Sequence, residues 1–212
     1  MNAPISLTQR QLPDFLLRVA LRRPVFVWGP PGTGKSSLVQ QFAAEVGLPC
    51  VSLLGSQLAP EDIIGVPQIV EGKSRFCPPR LIAREEPYCL FLDELNACSH
   101  EVQKSFYSLI HERRVGDYVM PPGSIVVGAG NRAQDSAIVK PMSSALVNRM
   151  VHVHLQVSHQ DWLAWAEAWS SSWRCRNSGA SPLSSRPENF HERTRLRSVR
   201  PGAGRGFPSH CQ

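Results

Sequence analysis

The sequence lacks the features that mark membrane-spanning and secreted proteins. No unbroken apolar run within the 212 residues is long enough to span a bilayer. The first residues also do not combine a basic segment with an apolar one, as a secretory leader does. The six cysteines form no C-x-x-C pair and do not combine with histidine at the spacing of metal ligands. We therefore expect reduced thiols and a cytoplasmic protein that does not insert into a membrane.

Excess charge is also missing from most of the chain, although the formal net charge is +6. Residues 1–169 contain 15 Lys plus Arg and 15 Asp plus Glu, whereas residues 170–212 contain eight Arg, no Lys and two Glu. Attraction to polyanions scales with the local excess of basic groups. Nucleic-acid binding is therefore not expected, except through the basic tail.

A glycine-rich octapeptide is the most informative segment that is present. Residues 29–36 read G-P-P-G-T-G-K-S, which fits the phosphate-loop pattern G-x-x-x-x-G-K-[ST]. An apolar run at 25–28 predicts a strand before it, and residues 36–44 predict a helix after it. Backbone N–H groups, the helix N-terminus and a lysine then surround phosphates. The alternative is a glycine turn that binds nothing. We predict triphosphate binding by Gly29, Pro30, Gly32, Thr33, Gly34, Lys35, Ser36 and Ser37.

The order of the remaining elements indicates an α/β fold. Further apolar strands are predicted at residues 50–54, 88–92, 125–130 and 151–155, with helices at 13–21, at 60–64 and after Ser99. Hairpins are predicted near residues 68–76 and 114–122. Strands that alternate with helices imply a parallel sheet covered on both faces. Ligands bind such sheets at the carboxyl ends of the strands, where Gly29, Asp93 and Asn131 all fall.

Three polar residues at these strand ends suit the hydrolysis of a triphosphate. Asp93 can hold magnesium together with Ser36, while the adjacent Glu94 orients and deprotonates a water molecule. The amide of Asn131 can fix that water beside the terminal phosphate. The alternatives are an ordinary solvated strand end for the acidic pair and an ordinary turn for the asparagine.

Arg149 precedes the last predicted strand and is expected at the rim of the core, too far round to reach its own nucleotide. It could instead serve the site of a neighbouring copy, because a head-to-tail ring presents such an arginine at every interface. The alternative is a surface arginine in an ordinary salt bridge.

Four segments, taken together, resemble the AAA+ ATPases and in particular their MoxR-like branch: residues 29–36, 90–96, 126–132 and 145–150. The resemblance covers about residues 10 to 169. It implies an ATP-binding protein with Walker A at residues 29–36, Walker B at Asp93 with catalytic Glu94, sensor 1 at Asn131 and an arginine finger at Arg149.

The same resemblance implies a P-loop AAA+ core over residues 1–156, with a parallel sheet flanked by helices. ATP and magnesium are the implied cofactors. The implied assembly is a homo-oligomeric ring, expected to be a hexamer. The implied role is chaperone-like remodelling of a protein partner, and a von Willebrand factor A domain protein is the partner class. The hairpin near residues 69–76 would match the insert in helix 2 of that branch.

The C-terminal segment departs from the family pattern. Residues 157–173 predict the start of a helical lid, with a capping box at 158–161. Residues 174–212 are rich in Arg, Ser, Gly and Pro and show no apolar periodicity, so the lid is incomplete. Three interpretations remain: an arginine-rich arm for nucleic acid, a solvated disordered tail, or an out-of-frame ending. No second sensor arginine is recognisable.

Two functions are compatible with these residues. The first is magnesium-dependent ATP hydrolysis, and the second is a truncated module that binds nucleotide without hydrolysing it. GTP chemistry is disfavoured because the residues after Asn131 do not form the N-K-x-D guanine motif. His152 and His154 share one face of a strand, but no third ligand accompanies them, so no metal site is predicted.

Overall fold

The computed structural model describes residues 4–132 and 142–158, together with Gln160, Leu163, Ala166 and Glu167. The chain divides into two units after Ala164, and nearly all described residues belong to the first unit. The predicted tail and most of the predicted lid helix lie outside the described residues. The elements are, in chain order, β1 (Ile5–Thr8), α1 (Gln11–Val19), β2 (Val25–Trp28), α2 (Lys35–Glu45), β3 (Cys50–Leu54), α3 (Glu61–Ile64), β4 (Val66–Val70), β5 (Lys73–Cys77), β6 (Cys89–Asp93), α4 (His100–His111), β7 (Arg114–Val115), β8 (Tyr118–Val119), β9 (Ile125–Gly130), α5 (Ser144–Val147) and β10 (Val151–Gln156).

Six strands form a sheet in the order β1-β10-β2-β9-β6-β3. Every neighbouring pair within it runs parallel. The predicted α/β fold with a parallel sheet is therefore confirmed. Since β2, β9 and β6 are adjacent, their carboxyl ends lie side by side at one edge of the sheet.

Side chains along each strand alternate between two apolar clusters, one on each face of the sheet. Helices pack on both faces and bury these clusters. Val25 and Val27 of β2 pack in one cluster with residues of α1 and α2. Phe26, between them in sequence, packs in the other cluster with residues of α3, α4 and α5. The strands read as continuous apolar runs because both of their faces are buried.

Two hairpins lie outside the sheet. The strands β4 and β5 pair antiparallel, as do β7 and β8. Nearly every side chain of the first hairpin is exposed, and Ile69 is 84% exposed. Both hairpins lie where the sequence predicts them.

Most predicted boundaries agree with the structure to within two residues. The strand β1 was not predicted, since four residues with only two strongly apolar members give a weak pattern. The helix α1 begins at Gln11 rather than at Pro13, because proline is tolerated in the first turn of a helix. Among the described residues, no helix combines the length and the apolar character needed to cross a membrane.

Candidate nucleoside-triphosphate site

A cavity of about 350 Å³ lies at the carboxyl ends of β2, β6 and β9. Three separate segments of the chain line it: the loop after β2 with the start of α2, the end of β6, and the end of β9. Its lining residues are Pro31, Gly32, Thr33, Gly34, Lys35, Ser36, Ser37, Asp93, Glu94, Gly130 and Asn131. The fold thus brings residues that are about 100 positions apart in the chain to one opening, as parallel sheets characteristically do.

The loop between β2 and α2 owes its shape to glycine. Gly32 and Gly34 have φ angles of 75° and 78°, in the left-handed region that other residues rarely adopt. The hydroxyl of Thr33 donates to the carbonyl of Pro30 at 2.9 Å and closes the turn. The helix α2 begins directly after Gly34, so its first unpaired N–H groups face the cavity-forming loop.

Lys35 is the buried cation of the site, with a side chain only 7% exposed. Its Nζ donates to the carbonyls of Gly29 and Pro30 at 3.0 and 2.8 Å, and to Oδ1 of Asn131 at 3.0 Å. Gly29 and Pro30 therefore act here through their carbonyls and are not among the lining residues. These three acceptors hold the ammonium group at the wall of the cavity.

Ser36 and Asp93 form a pair of hard oxygen donors. The Ser36 hydroxyl donates to Oδ2 of Asp93 at 2.6 Å. Both residues are partly exposed and line the cavity. Magnesium in such sites typically takes one or two protein oxygens and completes its shell with phosphates and waters, and this donor set fits that pattern.

Glu94 follows in an unusual backbone conformation, with φ at 52°. Its N–H donates to Oδ1 of Asp93 at 3.0 Å, which holds the turn. Its carboxylate accepts a hydrogen bond from the Ser56 hydroxyl at 2.8 Å. Behind it, burial raises the pKa of Cys98 to about 11, so this thiol stays protonated at neutral pH and donates to the Glu94 carbonyl at 3.8 Å.

Asn131 accepts two hydrogen bonds, one at its side chain and one at its backbone. Its Oδ1 accepts from Lys35, and its carbonyl accepts from the side-chain amide of Asn96 at 2.8 Å. Asn96 is 2% exposed. A Cβ added to Gly130 would collide with Oδ1 of Asn96, so glycine at that position leaves room for the contact.

Arg149 does not line the cavity. It lies just beyond α5, where its NH1 donates to the carbonyl of Ala145 at 2.9 Å. Its guanidinium carbon lies 4.4 Å from the ring centre of Tyr107 in α4, at cation–π distance. Of the predicted side chains, the structure therefore brings together those of Lys35, Ser36, Asp93, Glu94 and Asn131, and places Arg149 elsewhere.

Sequence reasoning did not assign a role to Ser56 or Asn96. Asn96 comes two residues after Glu94, and a polar residue within a buried segment was the available signal. Ser56 lies in the turn after β3, and nothing in its local pattern distinguishes it from a loop serine. Only the pairing of β3 with β6 brings it to Glu94.

The fold and the loop together define a P-loop nucleotide-binding α/β domain. The chain belongs to the AAA domain family, in its dynein-related subfamily, whose sequence profile matches residues 24–150.

Known proteins match the same part of the chain. An ATP-dependent zinc metalloprotease of Arabidopsis thaliana chloroplasts, FTSH 8, is 33% identical over 145 residues, covering 61% of this chain and 20% of that protein. The proteasome-activating nucleotidase of Methanocaldococcus jannaschii is 30% identical over 146 residues, covering 61% of this chain and 32% of that protein. The chain thus spans only a fifth to a third of the length of these two relatives.

A solved structure supports the fold. A protein from Cytophaga hutchinsonii that is described as an ATPase superposes with a TM-score of 0.56 at 18% identity, covering 76% of this chain and 50% of that one. At this identity the likeness concerns the fold alone.

Proposed function

We propose that this chain is the motor domain of a MoxR-like AAA+ ATPase, which binds ATP, hydrolyses it with magnesium and uses the energy to remodel a protein partner. The observation that carries the proposal is the convergence of Lys35, the Ser36–Asp93 pair, Glu94 and Asn131 on one cavity. Membership of the AAA family supports the ATPase chemistry. The MoxR-like assignment rests on the four sequence segments alone.

Each residue has a distinct task in this proposal. The N–H groups of the loop and the Lys35 ammonium bind the triphosphate and offset its charge. Ser36 and Asp93 would hold magnesium, which supplies electrostatic stabilisation of the charge that builds on the phosphoryl oxygens. Asn131 orients the attacking water, and Glu94 accepts its proton.

Arg149 completes the site of a neighbouring copy in this proposal. Arg149 lies outside the cavity of its own subunit, and its guanidinium contacts the aromatic ring of Tyr107 rather than a carboxylate. A head-to-tail ring would bring it to the terminal phosphate of the next subunit. The MoxR-like resemblance suggests a hexamer and a von Willebrand factor A domain protein as the partner. The four cysteines among the described residues are free thiols, which supports the cytoplasm as the compartment.

The test compares ATP binding and ATP turnover in three variants of the full chain. Lys35→Ala should lose binding, because the phosphate charge is no longer offset. Glu94→Gln should bind ATP but turn it over at least about 100-fold more slowly, since the general base is gone. Arg149→Ala should bind ATP and lose turnover. Unchanged turnover in Glu94→Gln would contradict the mechanism.

A second candidate is a module that binds nucleotide and does not hydrolyse it. The loss of apolar periodicity after Ser170 favours it, because a helical lid would normally complete the site and the subunit interface. Sedimentation with ATP and magnesium separates the two candidates. A ring-sized species that depends on ATP supports the motor, and a persistent monomer supports the module.

A further inference from the structure

The ring of His152 lies between the strand that leads into the phosphate loop and the helix that leads to Arg149. The indole Nε1 of Trp28 donates to Nδ1 of His152 at 2.9 Å, and Nε2 of His152 lies 2.8 Å from the carbonyl oxygen of Val147. The Trp28 and His152 rings are stacked, with centres 5.9 Å apart and planes inclined by 24°. One side chain thus contacts the end of β2 and the end of α5.

The two partners dictate the protonation state of the ring. An indole N–H can only donate, so Nδ1 must accept. A carbonyl oxygen can only accept, so Nε2 must donate. Neutral His152 with its proton on Nε2 satisfies both partners, and the other neutral tautomer satisfies neither. The hydrogen bonds therefore act as a directional link and not as a nonspecific polar contact.

Each end of this link reaches a functional segment. Trp28 is the last residue of β2, and the next residue, Gly29, accepts a hydrogen bond from the Lys35 ammonium. Val147 is the last residue of α5, two positions before Arg149. Its carbonyl is among those that a helix terminus leaves without a partner inside the helix, and the His152 ring supplies a partner there.

Among the described residues, Arg149 contacts its own segment and the helix α4. It donates to Ala145 within the same short segment and lies over Tyr107, while its Nε atom is buried and has no hydrogen-bond partner there. The direction in which the arginine points therefore depends on the placement of α5 and of α4, which are also joined by a hydrogen bond from the Ser143 N–H to Oε1 of Gln103 at 3.0 Å. His152 joins α5 to the phosphate-loop strand.

We propose that His152 is a positioning residue that couples the phosphate loop of one subunit to the arginine which that subunit presents to its neighbour. The inference rests on the proposed function, and specifically on the action of Arg149 in a neighbouring site. It assigns a task to a histidine that lies outside the cavity. Nucleotide binding at the phosphate loop would change the position of Arg149 through Trp28, His152 and Val147.

Two amide substitutions of His152 separate the two halves of the link. His152→Gln carries an amide nitrogen to about the place of Nε2 and keeps a donor for Val147. His152→Asn ends near Nδ1, so it keeps an acceptor for Trp28 and has no donor that reaches Val147. Both variants should bind ATP as wild type does. Because each variant breaks one half of the link, each should lower kcat at least about fivefold.

A mixing experiment then shows in which subunit the defect acts. Full-length His152→Asn is mixed with Glu94→Gln, whose own site is inactive but whose Arg149 is intact. If His152 acts on the presented arginine, turnover per His152→Asn subunit should rise on mixing, as it should for Arg149→Ala mixed in the same way. A defect in the subunit's own site would not recover, and that result would overturn the inference.

The controls distinguish failure of this inference from failure of the proposed function. The role of Arg149 in a neighbouring site is wrong if wild type has no ATP turnover, or if turnover of Arg149→Ala does not recover on mixing. The inference about His152 is then wrong as well. If Arg149→Ala recovers but His152→Asn equals wild type or fails to recover, only the inference is wrong. Should His152→Asn not fold, as judged by thermal unfolding, Trp28→Phe removes the indole donor and keeps a ring, and the same loss and recovery are expected of it.

Discussion

The Ser56 hydroxyl is the contact that most directly controls the proposed general base. It donates to one oxygen of the Glu94 carboxylate at 2.8 Å, and Glu94 is otherwise held in a left-handed turn. A carboxylate fixed in this way has one oxygen engaged and the other available to a water molecule. A hydrogen bond to a charged group restricts its orientation, so its loss should affect the chemical step more than binding.

We therefore expect Ser56→Ala to lower kcat about tenfold, equivalent to about 1.4 kcal/mol of barrier, with little change in ATP affinity. Steady-state turnover together with equilibrium ATP binding checks this split. Ser56→Thr keeps a hydroxyl and serves as the matched control, which should stay within about threefold of wild type. A selective loss of affinity in Ser56→Ala would show that Ser56 acts on binding instead.

Asn96 is a second residue with one key contact, and its contribution is to the stability of the fold. It is 2% exposed and donates to the carbonyl of Asn131 at 2.8 Å. Asn96→Asp keeps the size of the side chain, removes the donor and buries a carboxylate against a carbonyl oxygen. We expect a loss of about 2 to 3 kcal/mol in the free energy of unfolding.

Chemical denaturation measures this change. Gln40→Glu makes the same exchange of amide for carboxylate at an exposed position of α2 and should stay within about 0.5 kcal/mol of wild type. A cost no larger than that of Gln40→Glu would mean that the contact between Asn96 and Asn131 does not hold the end of β9.

At the scale of elements, the β4–β5 hairpin contributes little to the stability of the sheet. All five side chains of β4 are exposed. The hairpin is tied to the β7–β8 hairpin by an ion pair between Arg75 and Asp117 at 3.2 Å, with side chains 56% and 67% exposed. Exposed ion pairs contribute at most about 1 kcal/mol.

Replacing residues 67–76 by Asn-Gly should therefore change the free energy of unfolding by less than about 1 kcal/mol. Val66 and Cys77 are register partners, so a two-residue turn can join them. Phe106→Ala, which empties a fully buried position of α4, sets the scale at about 3 to 5 kcal/mol. A hairpin replacement that approached this cost, measured by denaturation, would show that the hairpin supports the core.

The elements also show what the sequence can and cannot predict. The strands β2, β3 and β9 match their predicted ranges because both faces of the sheet are buried, which makes their apolar runs continuous. The strand β1 escaped prediction because it is a short edge strand whose side chains are only partly buried or exposed. Its place in the sheet comes from pairing with β10, a partner almost 150 residues away.

The candidate site likewise contains residues that the sequence predicts and contacts that it does not predict. Lys35, Ser36 and Asp93 belong to local patterns whose spacing is dictated by a strand, a loop and a helix, so their types and positions can be read from the sequence. The contact of Trp28 with His152 joins two different strands, and the contact of Ser56 with Glu94 joins the turns that follow two other strands. No local pattern encodes such contacts, because they depend on the order of the strands in the sheet.

At the scale of the whole molecule, charge is segregated along the chain. Residues 1–169 are balanced at 15 basic and 15 acidic side chains, and residues 170–212 carry eight Arg against two Glu. The two apolar clusters of the core are formed by residues between Leu12 and Leu155. We therefore expect that removing residues 170–212 would remove the excess positive charge and leave the folded core intact.

We expect a chain that ends at Trp169 to keep the unfolding temperature of the full chain to within about 3 °C and to lose its affinity for polyanions. The tail should bind single-stranded RNA weakly and without sequence preference, and this binding should weaken steeply as salt rises, because counterions are released from the phosphates. Thermal unfolding and RNA titrations at two salt concentrations measure both effects. RNA binding that survives the cut would place the interaction on the balanced part of the chain, and a large drop in unfolding temperature would mean that residues beyond Trp169 stabilise the core.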